Sequence, residues 1–356
     1  MARVFVAMSG GVDSAAAALL ALDAGHQTAG IHARMVYPEA WGLSGLEEKL
    51  RRDAVDAEAA ARRLGIPFYA VDCSATFRDT VIRTFIQEYQ AGRTPNPCTV
   101  CNRTVKFGAL LDQARALGAE LLATGHYARV ERDENSGRWL LKRGADRRKD
   151  QSYFLYQLTQ DQLSRVLFPL GGMDKEQVRH LAEERGLVSA RRRESQDICF
   201  IPGGDYAAFI ENAVGAPAPA GDFLDQAGQV LGRHKGLIRY THGQHKGLGL
   251  STPEPLYVLE KDAAANTVRL GPDSALWSSA LTAEKLNWIA VPDLTAPMAV
   301  SVKTRYSQRE AEAVVEPLEE SRCRVTFTQP QRAVTPGQAV VFYQGDTVIG
   351  GGTIQG

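Results

Sequence analysis

The chain has 356 residues, with 41 lysines and arginines balanced by 41 aspartates and glutamates, so no overall field advertises a nucleic acid or an acidic partner. A strand signal begins within three residues of the start and no apolar run reaches bilayer length, which points to a cytoplasmic protein with no signal peptide and no membrane contact. Five cysteines, an odd number, fit reduced thiols rather than a disulfide scaffold.

The first element is the apolar run "VFVAM" (4–8), a strand bounded at once by "SGGVDS" (9–14). The alanine-rich stretch that follows has high helix propensity and stops at Gly25. A glycine-rich turn from strand to helix aims several backbone N–H groups and the positive helix end at one point, which suits a phosphate. The alternative is a tight turn of any α/β protein. Asp13 and Ser14 stand where side-chain oxygens can cap the helix or reach a metal-bound phosphate. Further on, "RDAVDAEAAARRLG" reads as a helix ended by Gly65, "FYAVDC" as a strand, and "TVIRTFIQEYQAG" as an amphipathic helix ended by Gly92. "RTPNPCTVCN" (93–102), with two prolines and two asparagines, reads as a loop. After it come a helix in "KFGALLDQARALG", a strand in "ELLATGH", a hairpin around "DENSGR", and two helical patterns in "QDQLSRVLF" and "KEQVRHLAEERG".

Alternation of strand and helix argues a parallel sheet covered by helices over residues 1–200. Residues 201–270 change texture, with a Pro/Gly/Ala connector and a Gly-rich basic stretch, and read as a small central domain of strand and loop. Residues 271–356 show short β-type alternation in "AVSVKTRY", "CRVTFT" and "AVVFY", the pattern of a small antiparallel barrel. Basic runs at 147–149 and 191–193 are candidate polyanion patches, although such runs are usually solvated faces.

The loop has neither the Walker spacing nor the G-x-G-x-x-G spacing of dinucleotide folds. "SGGVDS" after a first strand resembles instead the PP-loop of the ATP pyrophosphatases, of the adenine nucleotide alpha hydrolase-like class, which split ATP to AMP and pyrophosphate and adenylate a carbonyl oxygen. The cysteines bear on the substrate. A lone C-x-x-C is a zinc half-site or a redox pair, but no second half completes a zinc site here. Sulfur transfer needs one thiol to carry a sulfane sulfur and another to release it as a disulfide forms. Cys98 and Cys101 in "NPCTVCN" with Cys199 in "ESQDICF" offer such a set, while Cys73 and Cys323 read as buried.

Taken in order, "SGGVDS", "GRTPNPCTVCN", "VKFGALL", "ATGHYAR", "KDQSYFLY", "ESQDICFIP" and "GQHKGLG" resemble the tRNA-specific 2-thiouridylases nearly end to end. That family thiolates the wobble uridine. It implies a PP-loop domain, a small central domain and a C-terminal barrel, with ATP and Mg²⁺ as cofactors. The tRNA anticodon arm and a sulfur-donor protein (a cysteine desulfurase or a relay protein) would be the partners. Carried over motif by motif, Ala7, Met8, Ser9, Gly10, Gly11, Val12, Asp13 and Ser14 line the ATP phosphates, and Gly125 lies against the nucleotide. In "GIHARMV", Ala33 takes the place that meets adenine, with Met35 as a substitute. Cys101 corresponds to the nucleophile and Cys199 to the persulfide carrier. Lys149, Asp150 and Gln151, with Arg305 and Tyr306, match positions that touch tRNA, and Asn96, Pro97 and Cys98 match the loop that meets the target base.

Some members carry aspartate where this chain has Cys98, and that aspartate is an acid/base candidate. A thiol is a poorer base at neutral pH unless its pKa is lowered. A second mechanism has Cys98, Cys101 and Cys199 hold an iron–sulfur cluster with one open iron site. Two other function classes compete. A PP-loop ligase acting on a small molecule needs no paired thiols, and a bare RNA-binding module has no use for "SGGVDS".

Overall fold

The computed structural model describes residues 1–37, 46–187, 198–201 and 203–355. The N-terminal sheet is built on β1 (Arg3–Ala7), with β2 (Gln27–Arg34) and β3 (Phe68–Asp72) on one side and β4 (Leu121–Ala123) on the other. A hairpin, β5 (Ala128–Arg132) and β6 (Trp139–Arg143), leaves this sheet before β7 (Val166–Leu167) returns to its edge. The order is β3-β2-β1-β4-β7 and every pairing is parallel, as right-handed crossovers between strand and helix require. Parallel strands must be covered on both faces. Helix α1 (Val12–Asp23) does this with its alanines, Ala15 to Ala18 being at most 1% exposed. Their small side chains let the helix lie close against the sheet and against helix Lys175–Glu184. Helix α2 (Leu46–Arg63) buries Leu46, Ala57 and Ala61 and turns a ladder of Lys, Arg and Glu outward.

Two local expectations are corrected. The stretch 93–102 is not a loop throughout, because a helix begins at Pro97 and runs through Cys101 into a π-helical segment, Asn102–Ala109. Asn96 caps it, accepting from the Cys98 N–H at 3.2 Å, and Pro97 stands in the first helical position, where its missing N–H costs nothing. Proline and asparagine here are start signals rather than breakers. The pattern at "QDQLSRVLF" also divides. Gln160–Leu163 is one helical turn with a Thr159 capping box, and Val166–Leu167 is then drawn into the sheet edge.

The central part pairs β8 (Gly221–Leu224), β9 (Val230–His234), β10 (Tyr257–Asp262) and β11 (Thr267–Gly271) in the order β10-β11-β8-β9 around Phe223, Val258 and Val268, after a helix at Tyr206–Val214. The C-terminal strands are β12 (Trp277–Trp288), β13 (Met298–Lys303), β14 (Ala311–Leu318), β15 (Arg322–Arg332), β16 (Ala339–Gln344) and β17 (Thr347–Ile354). All pair antiparallel, and the β12–β17 pairing closes the barrel, which removes its edges. The hairpin around "DENSGR" forms as expected but joins this sheet, β6 pairing with β17 at Lys142 and Thr347. Tyr153 and Tyr156 carry the contact inward: their hydroxyls donate to the carbonyls of Ala339 (2.9 Å) and Gly352 (3.1 Å). One core runs from Phe5 and Phe85 through these tyrosines to Val341 and Tyr343 of the barrel. The thiol region lies along that seam. Among the described residues no helix is long and apolar enough to cross a membrane.

Candidate active site

At the end of β1 the chain turns through Gly10 (φ +79°) and enters α1 with Gly11 as N-cap. A Cβ on Gly10 would lie 2.4 Å from the Asp53 carbonyl oxygen, so only glycine lets α2 lie over the turn. No side chain caps Gly11. The Ser14 hydroxyl instead accepts from the Ser9 N–H (3.1 Å) and donates to the Gly11 carbonyl (2.9 Å), which ties the loop to itself. The first N–H groups of α1 are thereby kept from side-chain capping, the arrangement an anion requires.

Asp13 does not cap the helix either. Its two carboxylate oxygens accept from the Lys175 ammonium at 2.7 and 2.8 Å, and Oδ1 also accepts from the Tyr127 hydroxyl at 2.8 Å. Lys175 is only 7% exposed, so its charge is stabilised chiefly by this carboxylate. Gly125 has its reason here. A Cβ would lie within 2.8–2.9 Å of backbone atoms of Asp13 and Ser14, so β4 ends directly beneath the start of α1. Neither Lys175 nor Tyr127 is legible as a site residue, because their meeting with Asp13 exists only in the fold.

Of the other residues expected at the nucleotide, Ala7, Met8 and Val12 lie in or beside the core around β1 and α1, and Ala33 and Met35 are half-buried at the end of β2. The Met8 carbonyl is 2.8 Å from His32 Nδ1, which fixes the strand end next to the loop.

The thiols divide by exposure. Cys98 and Cys199 are exposed, and Cys101, Cys73 and Cys323 are buried. Cys98 and Cys199 nevertheless stand in a recess with protein on most sides, where loss of solvation pushes both thiols up and Cys98 adds to the rise at Cys199. Burial pushes Cys101 up to about 12, with Cys199 and Cys98 adding and Lys106 opposing. Lys106, on the π-helical segment, is the cation common to all three, and Lys49 of α2 also acts on Cys199. Two bridges join this group to the loop. Lys49 pairs with Asp53 at 3.0 Å, whose backbone covers Gly10. On the other side, Gly125 under Asp13 leads to His126, which Thr124 holds at 2.7 Å beside Phe107. Desolvation, then Lys106, keeps the His126 pKa well below the ordinary histidine value. Because the Cys98 thiol is raised rather than lowered, it is not prepared as a neutral-pH base. Among the described residues no three His, Cys, Asp or Glu side chains are grouped to hold a metal.

The positions matched to tRNA contact fall into two kinds. Asp150 is 4% exposed, and its carboxylate accepts from the N–H groups of Gly144 and Ser152 and from the Ser152 hydroxyl. Gln151 accepts from the Tyr127 N–H at 3.0 Å and donates its own N–H to the Tyr127 carbonyl, so it supports the tyrosine that holds Asp13. Arg305 is half-buried, donating to the carbonyls of His242 and Ala333 and to the Thr335 hydroxyl. These three organise the interior where they stand. Lys149 is partly exposed, and Tyr306 lies with its ring 4.4 Å from that of Phe154 and under Lys303. Asn96 and Pro97 build the helix start that presents Cys98. The basic run at 191–193 lies outside the described residues.

Family models agree along the chain. One described as the tRNA methyl transferase HUP domain matches residues 2–203, one described as the tRNA methyl transferase PRC-barrel domain matches 207–272, and one described as the aminomethyltransferase beta-barrel domain matches 278–354. A protein of Caldanaerobacter subterraneus subsp. tengcongensis named tRNA-specific 2-thiouridylase MnmA 1 is 48% identical, covering 99% of this chain and 98% of its own. Proteins named tRNA-specific 2-thiouridylase MnmA from Acetivibrio thermocellus and Geotalea uraniireducens are 47% and 49% identical, each over 99% of this chain and over 99% and 95% of their own.

The Asp13–Lys175 pair is testable by a double-mutant cycle. Asp13→Asn and Lys175→Met each leave a partner uncompensated, and the double variant removes both charges. The expected coupling is about 1–3 kcal/mol in denaturant unfolding; additive losses would show that the pair is not an energetic unit. The thiols are tested by alkylation with peptide mapping. Cys98 and Cys199 should react and Cys101 should not. Reaction follows the thiolate, so with pKa values raised above the ordinary thiol the rates should still be climbing at pH 9. A plateau near neutral pH contradicts the burial argument.

Proposed function

This chain belongs to the tRNA-specific 2-thiouridylase family, and from that premise we propose that it replaces O2 of the wobble uridine of tRNA with sulfur, using ATP, in the cytoplasm. What supports this reading is that thiols from two distant segments stand close enough to act on one another, in the domain that also carries an uncapped glycine-rich loop. A small-molecule ligase would use the loop alone, and an RNA-binding module neither.

Uracil O2 is a poor leaving group and must be activated. In the proposed sequence O2 attacks the α-phosphorus of ATP, the bond to pyrophosphate breaks, and the uracil N3 proton is lost. The N–H groups at the start of α1 face the charge that develops on the phosphates. Magnesium bound with the triphosphate would neutralise part of its charge. Asp13 is not offered as its ligand, since both of its oxygens already accept from Lys175. The terminal sulfur of a Cys199 persulfide then attacks C2, and the C2–O bond breaks to release AMP. Cys101, deprotonated, attacks the inner sulfur of Cys199, and the electron pair of the S–S bond passes to the transferred sulfur. The resulting Cys101–Cys199 disulfide is reduced by an external dithiol, and a sulfur-donor protein reloads Cys199. Cys101 starts from a raised pKa, so this step needs the RNA-bound state to bring Lys106 or a base to bear on it.

The target base must leave its stack to reach a recessed thiol. The barrel and partly exposed cations such as Lys149 would hold the anticodon arm by phosphates and shape, with Asn96, Pro97 and Cys98 at the base. The test is incubation of the protein with unmodified tRNA, ATP and a persulfide donor, followed by nucleoside mass spectrometry. One 2-thiouridine should form per AMP released, and Cys199→Ser should form none. ATP cleavage that is indifferent to tRNA, with no thionucleoside, overturns the proposal.

A further inference from the structure

The turn 335–338 of the barrel holds the segment that leads into the thiol helix. Gln338 Nε2 donates to the carbonyls of Thr94 (2.8 Å) and Pro95 (3.3 Å), across 244 and 243 residues of sequence. The Thr94 N–H donates back to the Pro336 carbonyl at 2.9 Å. Pro95 and Pro97 have no N–H, so this stretch is short of backbone donors of its own. One carboxamide nitrogen with two hydrogens meets both waiting carbonyls.

The turn is itself rigid. Gly337 is at φ +86°, and a Cβ there would lie 2.9 Å from the Arg93 Cβ and 3.0 Å from the Thr94 nitrogen. Its N–H donates to the Ile354 carbonyl at 2.9 Å, and the Ile354 N–H returns to Gln338 at 2.8 Å. Thr335 is buried and receives Arg305. One residue past the held pair, Asn96 caps the helix that carries Cys98 and Cys101.

We propose that the barrel turn 335–338 positions the thiol helix, with Gln338 as a positioning residue that sets where Cys98 and Cys101 stand relative to RNA gripped by the same barrel. The inference rests on the reading that this helix carries the sulfur chemistry. A barrel that both grips the anticodon arm and anchors the thiols fixes the distance between target base and sulfur, which a loop on a separate domain would leave free. Reaction rate is steeply sensitive to such placement.

The test compares the full-length protein with Gln338→Met and Gln338→Glu, which cannot donate to the two carbonyls, and Gln338→Lys, which can. Four quantities are measured with an unmodified tRNA transcript: single-turnover 2-thiouridine formation, tRNA-dependent pyrophosphate release, tRNA affinity, and alkylation of Cys98. The Met and Glu variants should slow sulfur transfer by about ten- to a hundredfold. Pyrophosphate release and tRNA affinity should stay within about twofold, Cys98 should alkylate several-fold faster, and the Lys variant should recover most of the activity. The proposal is overturned if Gln338→Met thiolates like the wild type, or if tRNA affinity falls in parallel with thiolation. If the wild type forms no 2-thiouridine, the functional reading fails instead. The alkylation comparison then still decides whether Gln338 holds the helix.

Discussion

A lysine ammonium enclosed by protein must find an anion, and in this fold Lys175 finds Asp13. That requirement organises the nucleotide end of the molecule. To satisfy it, helix Lys175–Glu184 must pack against α1, β4 must end under Asp13 with no side chain at Gly125, and Tyr127 must turn its hydroxyl to the same carboxylate. Gln151 then holds the backbone of Tyr127 from both sides, and buried Asp150 shapes the turn that delivers Gln151. A loop that would otherwise be six soft residues is fixed from below and from the side. Its N–H groups remain turned to one point, and such preorganised donors are the main means by which a protein stabilises charge developing on a phosphate.

The thiol end follows a different logic. Burial that raises thiol pKa values keeps the resting cysteines protonated, which protects them from adventitious oxidation but makes them poor nucleophiles. Lys106 is placed to oppose that effect at all three thiols. A site built this way is quiet until something displaces water or moves a charge. If the barrel grips the RNA as proposed, the contact at 335–338 would let RNA engaged at one domain set the thiols of another.

How much of this was legible depended on range. The strand–loop–helix opening, the helix stops at Gly25, Gly65 and Gly92, and the β alternation of the barrel are local patterns, and the chain follows them. The helix start at Pro97 was local too, but Asn-Pro was read as a breaker when its cap role decides. The Asp13–Lys175 pair, 162 residues apart, has no sequence signal. Neither has the capture of β5 and β6 by the barrel sheet, where Lys142 of β6 pairs with Thr347 of β17. The resemblance matches "KDQ" and Arg305 to positions that touch tRNA, and the hydrogen bonds that Asp150, Gln151 and Arg305 also make within the fold have no sequence signal.

We propose that the loop activates uracil O2 by adenylation so that a neighbouring thiol can deliver sulfur. It is tested most directly by placing a heavy-oxygen label at O2 of the wobble uridine, supplying ATP and a persulfide donor, and following the label by mass spectrometry. With activation at O2 the label leaves in the phosphate of AMP, one atom for each 2-thiouridine formed. Label released to water, or retained in the nucleoside while AMP accumulates, would contradict it.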